Sequence, residues 1–124
     1  MKRILVAEDR PASLELIRMV LESTGYEVIV ATDGQQAMEK ASSNSVDLVL
    51  LDLQMPKIDG FGVVAHLRKD PRFASVPIVA LTASAMQGDR ERALAAGFSS
   101  YIAKPIDLAA LRSEIGRLIG DRGV

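Results

Sequence analysis

Val46-Asp47-Leu48-Val49-Leu50-Leu51-Asp52 is an apolar run closed by a carboxylate, and a charge at the end of a buried strand is costly unless something there needs it. The same design recurs along the chain. Ile4-Leu5-Val6-Ala7 ends in Glu8-Asp9, Pro77-Ile78-Val79-Ala80-Leu81 ends in Thr82, and Ser99-Ser100-Tyr101-Ile102-Ala103 ends in Lys104-Pro105. As parallel neighbours in one sheet, these runs bring three acids, a hydroxyl and a cation to a single edge, where open α/β sheets place their ligands. That constellation suits a magnesium ion and a phosphoryl group.

Apolar runs of strand length alternate with segments of helical period, the pattern of a parallel sheet covered on both faces. Five strands are predicted, near 3–8, 27–31, 47–51, 77–81 and 99–103, with helices in the gaps. The first helix, near 13–24, is expected to turn Ser13, Leu16, Ile17, Val20 and Leu21 to the core and to stop at Gly25, leaving Leu14 and Arg18 on other faces. Gly34, Gly60 and Gly97 mark turns. Asp107 is the expected cap of a last helix carrying Leu108, Leu111, Ile115, Leu118 and Ile119. Right-handed crossovers with helices on both faces require the winding to reverse within the sheet. The order 2-1-3-4-5, a flavodoxin-like doubly wound (βα)5 fold, sets Glu8-Asp9 beside Asp52, with Thr82 and Lys104 on the far side. Asp33, at the end of the edge strand, falls outside this site.

Composition narrows the function. A chain of 124 residues, 48% hydrophobic, fits one domain, residues 1–124, with no output domain expected. Fifteen basic against sixteen acidic residues leave a formal charge of -1, which argues against nucleic-acid binding. Cysteine is absent, which excludes disulfides and thiolate metal sites. No stretch approaches the roughly 20 apolar residues that span a bilayer, and the expected location is the cytoplasm. His66, the only histidine, reads as a solvated helix residue.

Taken in order, Glu8-Asp9, Asp52 followed by Gln54-Met55-Pro56 and Asp59-Gly60, Leu81-Thr82-Ala83 and Tyr101-Ile102-Ala103-Lys104-Pro105 resemble the phosphoacceptor receiver domain of bacterial two-component response regulators. The resemblance covers essentially the whole chain. Gln54, Ala85-Met86 and Gly88-Asp89 are more loosely similar to stand-alone cell-cycle regulators of the DivK type.

The chemistry follows from the residues. Carboxylates crowded into one volume repel each other, and a divalent cation removes the conflict. Mg2+ prefers oxygen ligands and keeps several waters, so Asp9 and Asp52 are expected to bind it directly and Glu8 through water. The resemblance implies that the backbone carbonyl of Gln54 completes the protein's ligands. Asp52 beside such an ion is the expected nucleophile, forming an acyl phosphate, while Lys104 meets the charge on the transferring group from the other side. Thr82 offers a hydroxyl to the arriving phosphoryl group, and Ala83 leaves room for it and offers a backbone amide. Tyr101 could fill the space Thr82 vacates, giving two packings that phosphate biases. The resemblance also implies a cis Lys104–Pro105 bond.

It further implies a phosphohistidine on a histidine kinase or phosphotransfer protein as the upstream donor. A protein target downstream would bind the surface made by the helix near 86–96, the last strand and the last helix. Arg10, Pro11, Leu14 and Arg18 are candidate contacts for the upstream partner. Arg10 departs from the asparagine or other small polar residue often found there. The protein is expected to promote its own phosphorylation and dephosphorylation without being a turnover enzyme, as a monomer or weak dimer. An aspartyl-phosphate hydrolase would need an acid or base two residues after the nucleophile, where Gln54 stands. The remaining alternatives are a binding module indifferent to phosphate and a relay intermediate that passes phosphate to a histidine. Gln54 and Ser84, beside the site, are placed to affect phosphate lifetime.

Overall fold

Each apolar run of the sequence becomes a strand of one parallel sheet. The computed structural model describes residues 1–83 and 87–120. Its elements alternate: β1 (Arg3–Ala7), α1 (Pro11–Thr24), β2 (Glu27–Ala31), α2 (Gly34–Ser43), β3 (Leu48–Asp52), α3 (Gly60–Arg68), a 3-10 turn (Pro71–Phe73), β4 (Ile78–Thr82), α4 (Gln87–Ala96), β5 (Ser100–Ala103) and α5 (Leu108–Ile119). The strand order is β2-β1-β3-β4-β5, as the sequence predicts. Ser84 and Ala85-Met86 lie outside the described residues.

The period of two along each strand divides the core. Ile4 and Val6, Leu48 and Leu50, and Val79 and Leu81 point to the side covered by Ile17 and Leu21 of α1 and by Leu111 and Ile115 of α5. Leu5, Ala7, Val49, Leu51, Ile78 and Ala80 point to the opposite side, closed by Ala37, Val63, Val64, Leu67 and Ala93. Both faces of the central strands are buried, so β3 and β4 are apolar at nearly every position rather than at alternate ones.

Two strands end one residue later than predicted, at Asp52 and Thr82, while β5 starts one residue later, at Ser100, and ends at Ala103 as predicted. Asp52 pairs with Leu81, and Thr82 with Ala103. Asp52 and Thr82 therefore belong to the ladder itself, held by its register. Helix α1 starts at Pro11, whose missing N–H costs nothing in a first turn. It ends at Gly25, φ 106°, in the left-handed region open to glycine.

One expectation is reversed. Leu14 packs against the core cluster of α1 and α5, while Leu16 is 52% exposed. The core face centres on Ile17 and Leu21, and Leu14, three residues before Ile17, shares their side. The premise that Leu14 lies free for a partner therefore fails, and Leu16 takes that place.

Candidate functional site

The carboxyl ends of β1, β3, β4 and β5 meet where the winding reverses between β1 and β3. Glu8, Asp9 and Asp52 each bring an oxygen within 4.8 Å of the others. Glu8 is fully buried and Asp52 is 4% exposed, whereas Asp9 opens to solvent. Lys104 comes from the loop after β5, its Nζ 2.7 Å from Glu8 Oε1 and 2.8 Å from Asp52 Oδ2. The Lys104 backbone N–H is fixed by a 2.7 Å hydrogen bond to the Thr82 carbonyl, and the Lys104–Pro105 bond is cis.

The second oxygen of Asp52 and that of Glu8 are held by backbone. Asp52 Oδ1 accepts from the Gln54 N–H at 2.9 Å, and Glu8 Oε2 accepts from the Arg10 N–H at 3.1 Å. Glu8 Oε1 has the Lys104 ammonium, 2.7 Å away, as its counter-charge. A buried carboxylate beside two more carboxylates is the donor set a hard cation seeks, and the residues fit Mg2+.

Electrostatics agree with the geometry. Burial pushes the Glu8 carboxyl up, Lys104 pulls it down, and the neighbouring Asp52 pushes it up again, leaving it raised. Burial would lower the Lys104 ammonium, but Asp52 and then Glu8 outweigh it and hold the ammonium above its ordinary value. Lys104 is therefore a cation at neutral pH.

Gly60 explains how the loop after β3 can pass so close. A Cβ there would sit 2.6 Å from the Asp52 carbonyl oxygen and 2.9 Å from the Leu53 Cα. Asp59 caps α3, accepting from the Gly62 N–H at 2.9 Å. The Asp-Gly pair thus starts a helix directly against the Asp52 backbone.

A cavity of 610 Å³ opens above Asp52. Asp9, Arg10, Ser13 and Leu16 form one wall, Lys104, Pro105, Ile106 and Leu108 form another, and Gln54 and Ala83 complete it. Thr82 is buried at the end of β4, and Ala83 is exposed at the rim. Pro11 is exposed at the start of α1. Arg18 is half-buried and pairs with Glu15 at 3.2 Å. The sequence reading missed Leu16, Ile106 and Leu108; the apolar pair after Lys104-Pro105 was the available signal for the last two.

Tyr101 is half-buried on β5, away from this cavity, with the Arg90 guanidinium 5.4 Å from its ring centre. It lines a second hollow of 710 Å³ between α4, β5 and α5, with Leu94, Ala110, Glu114 and Arg117. Asp33 caps α2 and pairs with Lys57 at 3.7 Å, outside the cavity as expected. His66 is exposed. Among the described residues, no helix is long and apolar enough to cross a membrane.

Residues 4–116 match the response regulator receiver domain. The chain is 35% identical over 120 residues to the polar-differentiation response regulator DivK of Brucella anthropi, covering 97% of this chain and 98% of that one. It is 40% identical, with a TM-score of 0.89, to the receiver domain of sensor histidine kinase PA1611 from Pseudomonas aeruginosa, solved with a magnesium ion in its active-site cleft; 96% of this chain and 98% of that one are covered. At 27% identity and a TM-score of 0.88, over 95% of this chain and 88% of the other, it is also similar to the Saccharomyces cerevisiae Ssk1 receiver domain, solved with the histidine phosphotransfer protein Ypd1.

Proposed function

Because the chain belongs to the response regulator receiver domain family, we propose that it is a phosphorylation switch that accepts a phosphoryl group on Asp52 from a phosphohistidine and changes its binding to another protein. The carrying observation is the Lys104 ammonium held between Glu8 and Asp52, at 2.7 and 2.8 Å, on the floor of an open cavity. A lysine serving only solubility has no reason to be placed there.

In the transfer, an Asp52 carboxylate oxygen forms a bond to phosphorus as the bond to the donor's leaving atom breaks, and that electron pair departs with the leaving group. Held by Glu8, Asp9, Asp52 and the Gln54 carbonyl, Mg2+ would supply positive charge against which the carboxylates and the phosphoryl group can coexist. Lys104 meets the phosphoryl oxygens from its own side. Thr82 supplies a hydroxyl and Ala83 a backbone N–H, so the new charge, about -1.5 to -2, is felt at the end of β4.

Tyr101 lies one strand over and shares its hollow with α4 and α5, so a shift of the β4 end alters the packing available to its ring. We assign the α4-β5-α5 face to the downstream protein. The upstream kinase or phosphotransfer protein would dock on the cavity walls, with Arg10 and Pro11 at the rim and Leu16 as the exposed apolar contact. In this reading the protein works in the cytoplasm and turns over no external substrate.

Intact-protein mass after exposure to Mg2+ and acetyl phosphate tests the proposal. One added phosphoryl group on the parent and none on Asp52→Ala is the expected result. An unmodified parent, or an equally modified Asp52→Ala, overturns it.

A further inference from the structure

The carboxylates of Glu8, Asp9 and Asp52 exceed the Lys104 ammonium by two negative charges before any ion or donor enters. A bound Mg2+ would cancel these and leave nothing for the charge of the donor itself. Besides Lys104, the only cation among the residues lining the cavity is Arg10. Its backbone is pinned by the N–H bond to Glu8 Oε2 and by its carbonyl, which accepts from the Leu14 N–H at 2.9 Å. Its guanidinium is exposed and has no ion-pair or hydrogen-bond partner among the described residues.

Arg10 lines the cavity through which the leaving group must depart. Asp52 is buried at the floor and Arg10 exposed at the rim. In-line attack from Asp52 puts the leaving group on the far side of phosphorus, toward the mouth.

We propose that Arg10 selects the phosphoryl donor by its leaving group, favouring donors whose leaving group departs as a carboxylate over donors whose leaving group departs neutral. The inference rests on Asp52 being the phosphoacceptor. With acetyl phosphate, the Asp52 oxygen bonds to phosphorus, the P–O bond to the acyl group breaks, and its electron pair leaves as acetate. A guanidinium meets that growing carboxylate charge with a planar pair of donors, more strongly in the transition state than before it. With zwitterionic phosphoramidate, the P–N bond breaks and the ammonium end leaves as neutral ammonia. Arg10 offers that donor nothing.

The test compares the parent with Arg10→Gln and Arg10→Lys, all holding saturating Mg2+, by the rate of phosphoryl gain from acetyl phosphate and from phosphoramidate. Arg10→Gln should slow the acetyl phosphate reaction about fivefold, the scale of one partly exposed charge pair, and leave phosphoramidate within about twofold. Arg10→Lys should recover part of the loss. Calorimetric titration with Mg2+ supplies the second reading: Arg10→Gln should bind the ion at least as tightly as the parent, since a like charge has left the rim.

Equal slowing with both donors, no slowing with either, or weakened Mg2+ binding would overturn the proposal, the last by showing that Arg10 merely holds the site together. A parent that takes phosphate from neither donor instead refutes the phosphoacceptor reading, and this proposal falls with it.

Discussion

Replacing Lys104 by methionine keeps a flexible apolar stem and deletes one charge. Two contacts vanish, at 2.7 and 2.8 Å, and leave the buried carboxylates of Glu8 and Asp52 facing each other. Breaking a buried pair by removing one partner costs about 3–5 kcal/mol. The loss here is smaller, since the Lys104 side chain is 14% exposed and Glu8 can escape the repulsion by binding a proton. We therefore expect about 2–3 kcal/mol at neutral pH without Mg2+, or about 8–12 °C in Tm for a chain of this length. Differential scanning calorimetry in a chelator measures it.

The pH dependence has a definite sign. The Glu8 carboxyl is raised in the folded parent, so the fold takes up protons there more readily than the unfolded chain. In Lys104→Met it rises further, and the deficit of the variant shrinks as pH falls toward the carboxylate range. The Lys104 ammonium is raised too, so its contribution is complete below its ordinary value of 10.5 and is lost as pH climbs through the folded value. Mg2+ supplies the missing positive charge, and by mass action each tenfold excess over Kd adds about 1.4 kcal/mol. It should raise the Tm of Lys104→Met more than that of the parent. A variant that melts within about 2 °C of the parent in chelator, or gains no more from Mg2+, would refute the view that this ammonium balances the carboxylates.

Arg68 donates to the carbonyls of Gly97, Phe73 and Val76 at 2.9, 2.6 and 2.9 Å and to Ser99 Oγ at 3.2 Å, so Arg68→Met should cost about 2–4 kcal/mol in urea unfolding. Gly60→Ala would press a methyl group onto the Asp52 carbonyl, costing about 1–3 kcal/mol in the same assay and slowing phosphoryl uptake from acetyl phosphate. Leu16→Ser should leave stability within about 0.5 kcal/mol yet weaken transfer from a phosphotransfer protein, whereas Leu14→Ser should cost about 1–2 kcal/mol; thermal melts with transfer kinetics check both. Removing the α5 cap by Asp107→Ala, which loses bonds to the Ala109 and Ala110 N–H groups, should cost about 1 kcal/mol in urea unfolding.

The strand ends were legible because charge there contradicts the apolar runs that precede it, and the reversal of winding says which ends are neighbours. Topology brought Glu8 and Lys104 to one edge on opposite sides of Asp52, but their direct ion pair depends on the reach of the lysine side chain, which the sequence reading did not predict. Rotation of a helix about its axis was not legible. Both the set Ser13, Leu16, Ile17, Val20, Leu21 and the set Leu14, Ile17, Leu21 satisfy a helical period, and the choice depends on how α1 sits over β1 and against α5. Arg68 was equally hidden. Its acceptors are main-chain carbonyls, which every residue carries, so no pattern of side chains announces them.

The position of each charged group follows from one constraint. A parallel sheet with both faces covered leaves only its strand ends open to water, and at the reversal between β1 and β3 the two crossovers diverge, so a gap forms there without breaking a ladder bond. Charges placed elsewhere in these strands would be buried without exit. At this edge Glu8 and Asp52 are held by backbone N–H groups and one ammonium, while Asp9 and Arg10 reach the solvent. The floor of the cavity is therefore rigid and negative, and its rim is adaptable and mixed in charge. A cation is favoured at such a floor and an anion can be received at such a rim, which is the order in which Mg2+ and a phosphoryl donor would have to enter.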